Sequence, residues 1–385
     1  MSSTHELTPE TTDMSATPAT AHKPRRLGER VLGSGLVDLL AGPPGIDGYL
    51  EQVHPTWSVG DCRAEITAVG NESPDSVTIS MRANRAWEGF RAGQFLQVGV
   101  EIDGVRRKRC YSPASAAGLG RELELTVKSH PEGLVSNFLI ERALPGMVVD
   151  LEQAGGDFHL PDRRPDRVLL ISGGSGITPV MSMLRTLCAE GHRGPVTFVH
   201  FAPDRERAIY RRELERIAAA SPNVRLARSY TRAAGTGELD GYLDPALLAK
   251  AEPDFRRAEA FACGPPALLD SVREIWSDAG LESRLHVESF VPPTMLPDSG
   301  VAGGSIHFAS SDIRLDNSGA SLLEQAEGAG LTPETGCRRG ICHTCTCRKS
   351  AGVVKNIATG EVSSGEDEEI QICVSAPVGD VVVDL

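Results

Sequence analysis

Apolar and polar residues follow a different rhythm in each successive part of the chain. Between residues 27 and 54 the apolar positions fall at helical spacing (Leu27, Val31, Leu32, then Leu36, Val37, Leu39, Leu40). Gly42-Pro43-Pro44-Gly45 stops that run, and a short second helix through Tyr49 and Val53 follows. From Trp57 the period drops to two. Residues 62–69, 75–82, 94–102, 105–111 and 122–129 read as strands divided by turn residues such as Asn71, Pro74, Gly93 and Asp103-Gly104. One helix, Leu134 to Ala143, interrupts them and ends before Pro145-Gly146. Many short strands with such turns predict an antiparallel β-barrel.

Near residue 166 the rhythm changes again. Val168-Leu169-Leu170-Ile171 is a continuous apolar run, followed by Gly173-Gly174-Ser175-Gly176-Ile177-Thr178-Pro179 and an apolar helix to about Glu190. Strands at 196–202, 224–230, 258–263 and 284–290 alternate with helices near 209–220, 245–251 and 266–279, the pattern of a parallel sheet covered on both faces. A last unit begins with a strand at 305–309, holds a helix at 321–329 and ends in Val381-Val382-Val383. The chain therefore divides into a disordered tail (1–26), a helical extension (27–56), a barrel domain (57–163), an α/β domain (164–290), a Pro/Gly/Ser-rich linker (291–303) and a final domain (304–385). The extension reads as a flap on the barrel or as a docking or membrane-surface helix. Its short, non-basic character favours the flap.

A chain of 385 residues has room for about two to four domains, each with its own core. The net charge of −13 disfavours nucleic acid as a partner. No stretch reaches the roughly 18 apolar residues of a membrane span, so a membrane-spanning protein is not expected. The first 25 residues are rich in Ser, Thr, Pro and Ala and lack the apolar core of a signal peptide. Nine cysteines in such a chain point to a reducing, cytoplasmic setting in which thiols serve metal rather than disulfides.

The strongest chemical signal is Cys337-Arg-Arg-Gly-Ile-Cys342-His-Thr-Cys345, answered by Cys373. Gaps of four and then two residues with a distant fourth cysteine are the spacing of a plant-type 2Fe–2S site. Zinc is the competing reading, but its cysteines usually come as two separated C-x2-C pairs. Gly340 removes a Cβ where the loop must wrap most tightly, and Cys347 reads as a packing thiol. In the barrel, Arg109 suits a phosphate, Tyr111 an aromatic ring face and Ser112 a ring nitrogen. Gly133-Leu134-Val135-Ser136 opens the lone helix, whose free N–H groups suit a pyrophosphate. The Gly173–Pro179 turn leaves a buried strand and enters a helix, with Thr178 expected as N-cap and Pro179 at the first helical position. It is an anion cradle or simply a structural βα turn. Cys263-Gly264-Pro265-Pro266 repeats that geometry at a later strand end, where ligands of open α/β sheets bind.

Taken in this order, these motifs resemble the flavin-dependent ferredoxin-reductase-like proteins that carry a C-terminal ferredoxin module. The resemblance covers residues about 57 to 385, and with Asn84-Arg85-Ala86-Trp87 and the 27–57 segment it extends to members that feed electrons to an acyl-CoA desaturase. It implies an FAD-binding β-barrel, an NAD(P)-binding α/β domain and a β-grasp 2Fe–2S domain. Arg109 would hold the flavin diphosphate with Gly133, Leu134, Val135 and Ser136. Tyr111 would stack on the isoalloxazine, Ser112 and Glu288 would lie near its N5, and Val127 and Lys128 would line its edge. Gly174, Gly176 and Thr178 would bind the dinucleotide, with Cys263, Gly264 and Pro265 against the nicotinamide and Phe290 beside the flavin. Cys337, Cys342, Cys345 and Cys373 would hold the cluster. The stretch Ala114-Ser115-Ala116-Ala117 departs from the family in offering no adenine-stacking aromatic.

By the same resemblance, Thr231 and Arg232 would hold a 2′-phosphate, assisted by Arg205 or Arg207, so NADPH is expected over NADH. A nicotinamide yields two electrons as hydride whereas a 2Fe–2S centre takes one, and FAD couples the two. The expected role is an electron-transfer reductase whose partner is a soluble or membrane-bound oxygenase or desaturase. An acyl-CoA desaturase comes first, with aromatic, steroid and alkane oxygenases or a redox sensor as alternatives. Over residues 304–385 there are 6 Lys/Arg against 12 Asp/Glu, yet Arg338, Arg339, Arg348 and Lys349 flank the cluster loop. A basic rim of this kind would steer an acidic partner.

Overall fold

The computed structural model describes His54 and residues 56–58, 60–131, 133–290 and 303–385. The tail at 1–26, nearly all of the extension at 27–56 and the linker up to 302 lie outside the described residues. In the first domain, β1 (Arg63–Ser73), β2 (Ser76–Ala83), β3 (Leu96–Ile102), β4 (Val105–Tyr111) and β5 (Glu122–Lys128) precede helix α1 (Leu134–Arg142) and a short β6 (Val148–Leu151). The antiparallel order is β4-β3-β6-β1-β2-β5. The outer strands approach where Ala114 N–H donates to Glu124 O at 2.7 Å. Alternate residues such as Ile66, Ile79, Met81, Leu96 and Leu125 fill one core. β6 was not read from the sequence: its four residues are too few to show a period, and pairing with β1 and β3 defines it.

The second domain runs β7 (Val168–Gly173), α2 (Ile177–Ala189), β8 (Val196–Ala202), α3 (Arg211–Ala220), β9 (Val224–Tyr230), α4 (Pro245–Ala251), β10 (Glu259–Cys263), α5 (Pro266–Asp278) and β11 (Leu285–Glu288). All five strands are parallel in the order β11-β10-β7-β8-β9. Every residue of β7 and β8 is buried, because helices cover both faces. The order reverses at β7, so the carboxyl ends of β7 and β10 flank the crevice where such sheets bind ligands.

In the third domain a mixed sheet curls around one helix. It comprises β12 (Ser305–Phe308), β13 (Ile313–Asp316), α6 (Leu322–Gly328), β14 (Thr346–Asn356), β15 (Val362–Ser363), β16 (Glu368–Gln371) and β17 (Ser375–Val383). β12 and β17 pair in parallel and the rest antiparallel. Ser321 and Glu324 form a reciprocal capping box on α6. Among the described residues no helix is long and apolar enough to cross a membrane.

The barrel and the α/β domain share a partly buried charge network. Arg185 on α2 donates to Glu124 (2.5 Å), to Glu213 (2.6 Å) and to the Ala114 carbonyl (2.8 Å), with its guanidinium 4.8 Å from the Tyr210 ring centre. Removing the arginine leaves two partly buried carboxylates and a backbone carbonyl without their donor, at a cost of roughly 1–2 kcal/mol. Arg185→Met should therefore lower Tm by several degrees in calorimetry. An unmoved Tm would show that the network does not hold the two domains together.

Candidate functional site

At the end of β7 the backbone turns through a 3-10 segment, Gly174–Gly176, straight into α2. The N-cap is Gly176, not Thr178. Thr178 is the second helical residue, its hydroxyl donating to Ser175 O at 3.3 Å, and Pro179 is the third, where its missing N–H still costs nothing. A Cβ on Gly176 would fall 2.4 Å from the Cys263 carbonyl oxygen, so this glycine lets the turns after β7 and β10 touch. Gly174 (φ +54°) has open space where its Cβ would be. Gly264 follows in the facing turn, and Pro265 is the N-cap of α5.

Register places Cys263 between Ser172 and Glu288 on the neighbouring strands. Cys263 is fully buried, and burial followed by the Glu288 charge raises its thiol well above the usual range. Glu288 is also buried and, among the described residues, its Oε2 has no partner. Burial pushes its carboxyl up to about 7, against an opposing pull from Arg339. Two residues on, Phe290 lies 5.6 Å beneath the Arg339 guanidinium, which also donates to the Ser289 carbonyl. At the end of β9, Thr231 N–H binds Ala202 O (2.9 Å) and Arg232 N–H binds Pro203 O (2.8 Å). Arg232 is exposed and, among the described residues, in no ion pair. Arg207 is paired with Asp204 at 2.6 Å, and Arg205 lies 3.9 Å from Glu215.

On the barrel side, register aligns Tyr111 with Leu96 and Arg109 with Val98, putting both on the core face of β4. Arg109 donates to Lys108 O at 2.8 Å and, among the described residues, makes no ion pair. Burial, then Arg338 and Arg107, lower its pKa, the signature of a cation waiting for an anion. Ser112 Oγ is buried and has no partner among the described residues. Val127 is buried, and Lys128 pairs with Asp75 at 3.4 Å. Gly133 caps α1 without a side-chain bond, which leaves the N–H groups of the first turn available. Val135 is itself buried, so only its backbone is offered there. Ser136 Oγ donates to Gly133 O at 3.1 Å.

The cluster loop curls through three left-handed residues: Arg338 (φ 57°), Gly340 (φ 75°) and His343 (φ 57°). A Cβ on Gly340 would lie 2.8 Å from Val374, so the loop has room only for glycine there. Arg338 and His343 are strained by of order 1 kcal/mol each. Arg338 is held by a paired ion contact to Glu327, and His343 by a 3.0 Å bond to Gln371. The four thiols gather as two pairs, Cys337 with Cys342 and Cys345 with Cys373, which suits a two-metal cluster. Among the described residues no three side chains converge as a single metal ion would need. Amides of Cys337 and Arg339 donate to sulfur at 3.2 Å and that of Ile341 at 3.4 Å. Hydrogen bonds from Cys110, Cys337 and Thr344 hold Cys342 far below an ordinary thiol, while the bond from Cys373 lowers Cys345 to about 7. Cys347 donates to Asp384 O at 3.0 Å and stays outside the set.

The expected basic rim does not form. Lys349 is fully buried, donating to Gly352 O (2.9 Å) and Gly365 O; Arg348 pairs with Asp367, Arg338 with Glu327, and Arg339 reaches into the α/β domain. Charge in this loop is spent internally. Sequence reasoning also missed Gln97 and Cys110, cross-strand partners that face the loop. Alternating with core Leu96 and Val98, Gln97 reads as solvent-facing until the third domain covers it.

The description "Oxidoreductase FAD-binding domain" matches residues 63–160, "Oxidoreductase NAD-binding domain" residues 170–274 and "2Fe-2S iron-sulfur cluster binding domain" residues 306–378. The chain is 37% identical to an NADPH oxidoreductase of Mycobacterium tuberculosis over 88% of both proteins. It is 32% identical to the glycine betaine monooxygenase reductase subunit of Pseudomonas aeruginosa over 86% of this chain and 96% of that one. Phthalate dioxygenase reductase shares the fold, with a TM-score of 0.59 and 24% identity over 85% of this chain and 98% of that chain.

Gly176→Ala should force the two turns apart and slow reduction by a nicotinamide roughly ten- to a hundredfold. Flavin and cluster absorbance should be retained, and stopped-flow reduction checks both points. For Glu288 the folded-state pKa lies above the ordinary 4.5. Its favourable contribution is thus complete below that value and is lost as pH rises through about 7, a change of the order of 3 kcal/mol. Tm of Glu288→Gln, scanned from about pH 5 to about pH 8, should gain on the wild type with rising pH. Parallel curves would contradict the buried acid.

Proposed function

The chain belongs to the NAD(P)H-dependent oxidoreductases that join an FAD-binding, an NAD-binding and a 2Fe–2S domain, and from that premise we propose that it draws on NADPH to supply single electrons to a separate iron-dependent oxygenase or desaturase. The observation that carries this reading is the continuity of the three sites. Cys263 and Glu288 share a register, and Ser289 and Phe290 next to them receive Arg339 from the cluster loop. Bound FAD supplies the step between two-electron hydride transfer and one-electron chemistry at the cluster.

Around it the chain positions and insulates. Arg109 and the open N-terminus of α1, residues Gly133 to Ser136, hold the flavin diphosphate. Tyr111 stacks on the ring, with Val127 and Lys128 at its edge and Phe290 beside it. Ser112 Oγ and Glu288 Oε2, both without a protein partner, face the flavin N5 region. Glu288, raised toward neutrality, keeps a proton with which to donate a hydrogen bond there. Gly174, Gly176 and Thr178 hold the dinucleotide phosphates, and Cys263 with Gly264 and Pro265 faces the nicotinamide. Cys337, Cys342, Cys345 and Cys373 hold the cluster. Thr231 and Arg232 hold the 2′-phosphate, a role supported by an arginine left free of carboxylates.

The relative from M. tuberculosis is named for NADPH, and that from P. aeruginosa for a monooxygenase. These names support the nucleotide and an oxygenase-type acceptor; the motif resemblance puts an acyl-CoA desaturase first. Thiols kept for metal suit the cytoplasm. Anaerobic stopped flow with NADPH and NADH in turn tests the reading. NADPH should bleach the flavin and then the cluster bands rapidly. Arg232→Ala should cost about tenfold in NADPH efficiency and leave NADH unaffected. Equal loss with both nucleotides would remove Arg232 from the specificity site.

A further inference from the structure

The cluster loop is not enclosed by its own domain alone. Gln97 on β3 and Cys110 on β4 are cross-strand neighbours on the face opposite Tyr111, and both reach the loop. Because Cys110 pairs with Gln97 across the strands and Gln97 is bonded to Thr344, the Cys110 thiol is on the side of the wall that faces the loop. Gln97 is buried, and its Nε2 donates to Thr344 Oγ1 at 2.9 Å and to Glu152, which Lys108 anchors at 2.9 Å. Since Thr344 Oγ1 accepts from Gln97, its own proton is left for the Cys342 sulfur, which lies on the same side of Gly336. The packing is tight: a Cβ on Gly336 would fall 2.4 Å from Gln97 Oε1, 2.7 Å from Cys342 Sγ and 2.9 Å from Thr344 Oγ1.

We propose that Cys110 and Gln97 of the FAD-binding domain are positioning residues for the iron–sulfur centre. Cys110 donates S–H to the ligand sulfurs of Cys337 and Cys342, and Gln97 aims the Thr344 hydroxyl at Cys342. Each donor favours the more negative, reduced state of the centre and so raises its reduction potential. Both come from another domain, so the potential depends on how the ferredoxin domain sits against the barrel.

This inference rests on the ligand assignment above, and the test separates the two. The full-length holoprotein is titrated electrochemically, with the reduced cluster followed by EPR and flavin loading by absorbance. Cys110→Ala should lower the reduced-to-oxidised ratio at a fixed potential about threefold (about 30 mV, at about 59 mV per tenfold for one electron). Cys110→Ser, which keeps a donor, should fall between Ala and wild type. Gln97→Leu should shift the ratio in the same direction, and that shift should vanish in a Thr344→Val background, as action through Thr344 requires. Wild-type potentials in Cys110→Ala and Gln97→Leu with clusters intact overturn the proposal. If Cys110→Ala fails to load the cluster, the Gln97/Thr344 cycle decides alone: an unmoved potential in Gln97→Leu overturns it, and a shift that persists without the Thr344 hydroxyl does the same. A wild-type protein without a 2Fe–2S signal would instead overturn the ligand assignment.

Discussion

Side chains on a β-strand alternate between faces, and on β4 that alternation sends Arg109 and Tyr111 to one side and Cys110 to the other. The register with β3 then fixes what each face meets: Leu96 and Val98 in the barrel core, and Gln97 toward the cluster loop. A one-residue slip would exchange the two sets and put an arginine into the thiol loop. The pairing of β3 with β4 is therefore what the arrangement of the three domains depends on. The Arg185 network ties the α/β domain to β5 of the barrel, and the Arg339 contact ties the cluster loop to the α/β domain.

Two electrostatic environments lie side by side across that wall. In the crevice of the α/β domain, burial keeps Cys263 a thiol and raises Glu288 toward neutrality. It also keeps His200, bonded to Ser172 at 2.8 Å, neutral by lowering it to about 3. Burial there suppresses fixed charge on these side chains. In the cluster loop, backbone amides, Thr344 and Cys110 instead supply donors to sulfur, which favours thiolate. The two sites differ in polarity, and Arg339 of the loop reaches from one to the other through Ser289 and Phe290.

Much of this organisation was legible beforehand because it is local. The central strands β7 and β8 are covered by helices on both faces, so they are buried throughout, and the strand limits of the α/β domain fall within a few residues of the sequence reading. The glycine turn, the capping serine of α6 and the cysteine spacing are likewise properties of short segments. Local reasoning failed where a residue's partner is distant. Thr178 lost the N-cap because the 3-10 turn tightens the backbone one step earlier, so that Gly176 can abut Cys263. Lys349 left the expected basic rim because β14 carries it inward onto the Gly352 and Gly365 carbonyls.

The sequence by itself determined which cofactor chemistry each domain supports, since ligand spacing, turn glycines and strand periodicity are written within a few residues of one another. Only the tertiary structure decided what surrounds those groups. Gln97 and Thr344 are 247 positions apart, and no local pattern marks either as a partner of the other. The unpaired Oε2 of Glu288 and Oγ of Ser112 likewise become meaningful only once packing has removed water from them. Hydrogen-bond energy and desolvation depend on distance in space, whereas sequence patterns record distance along the chain.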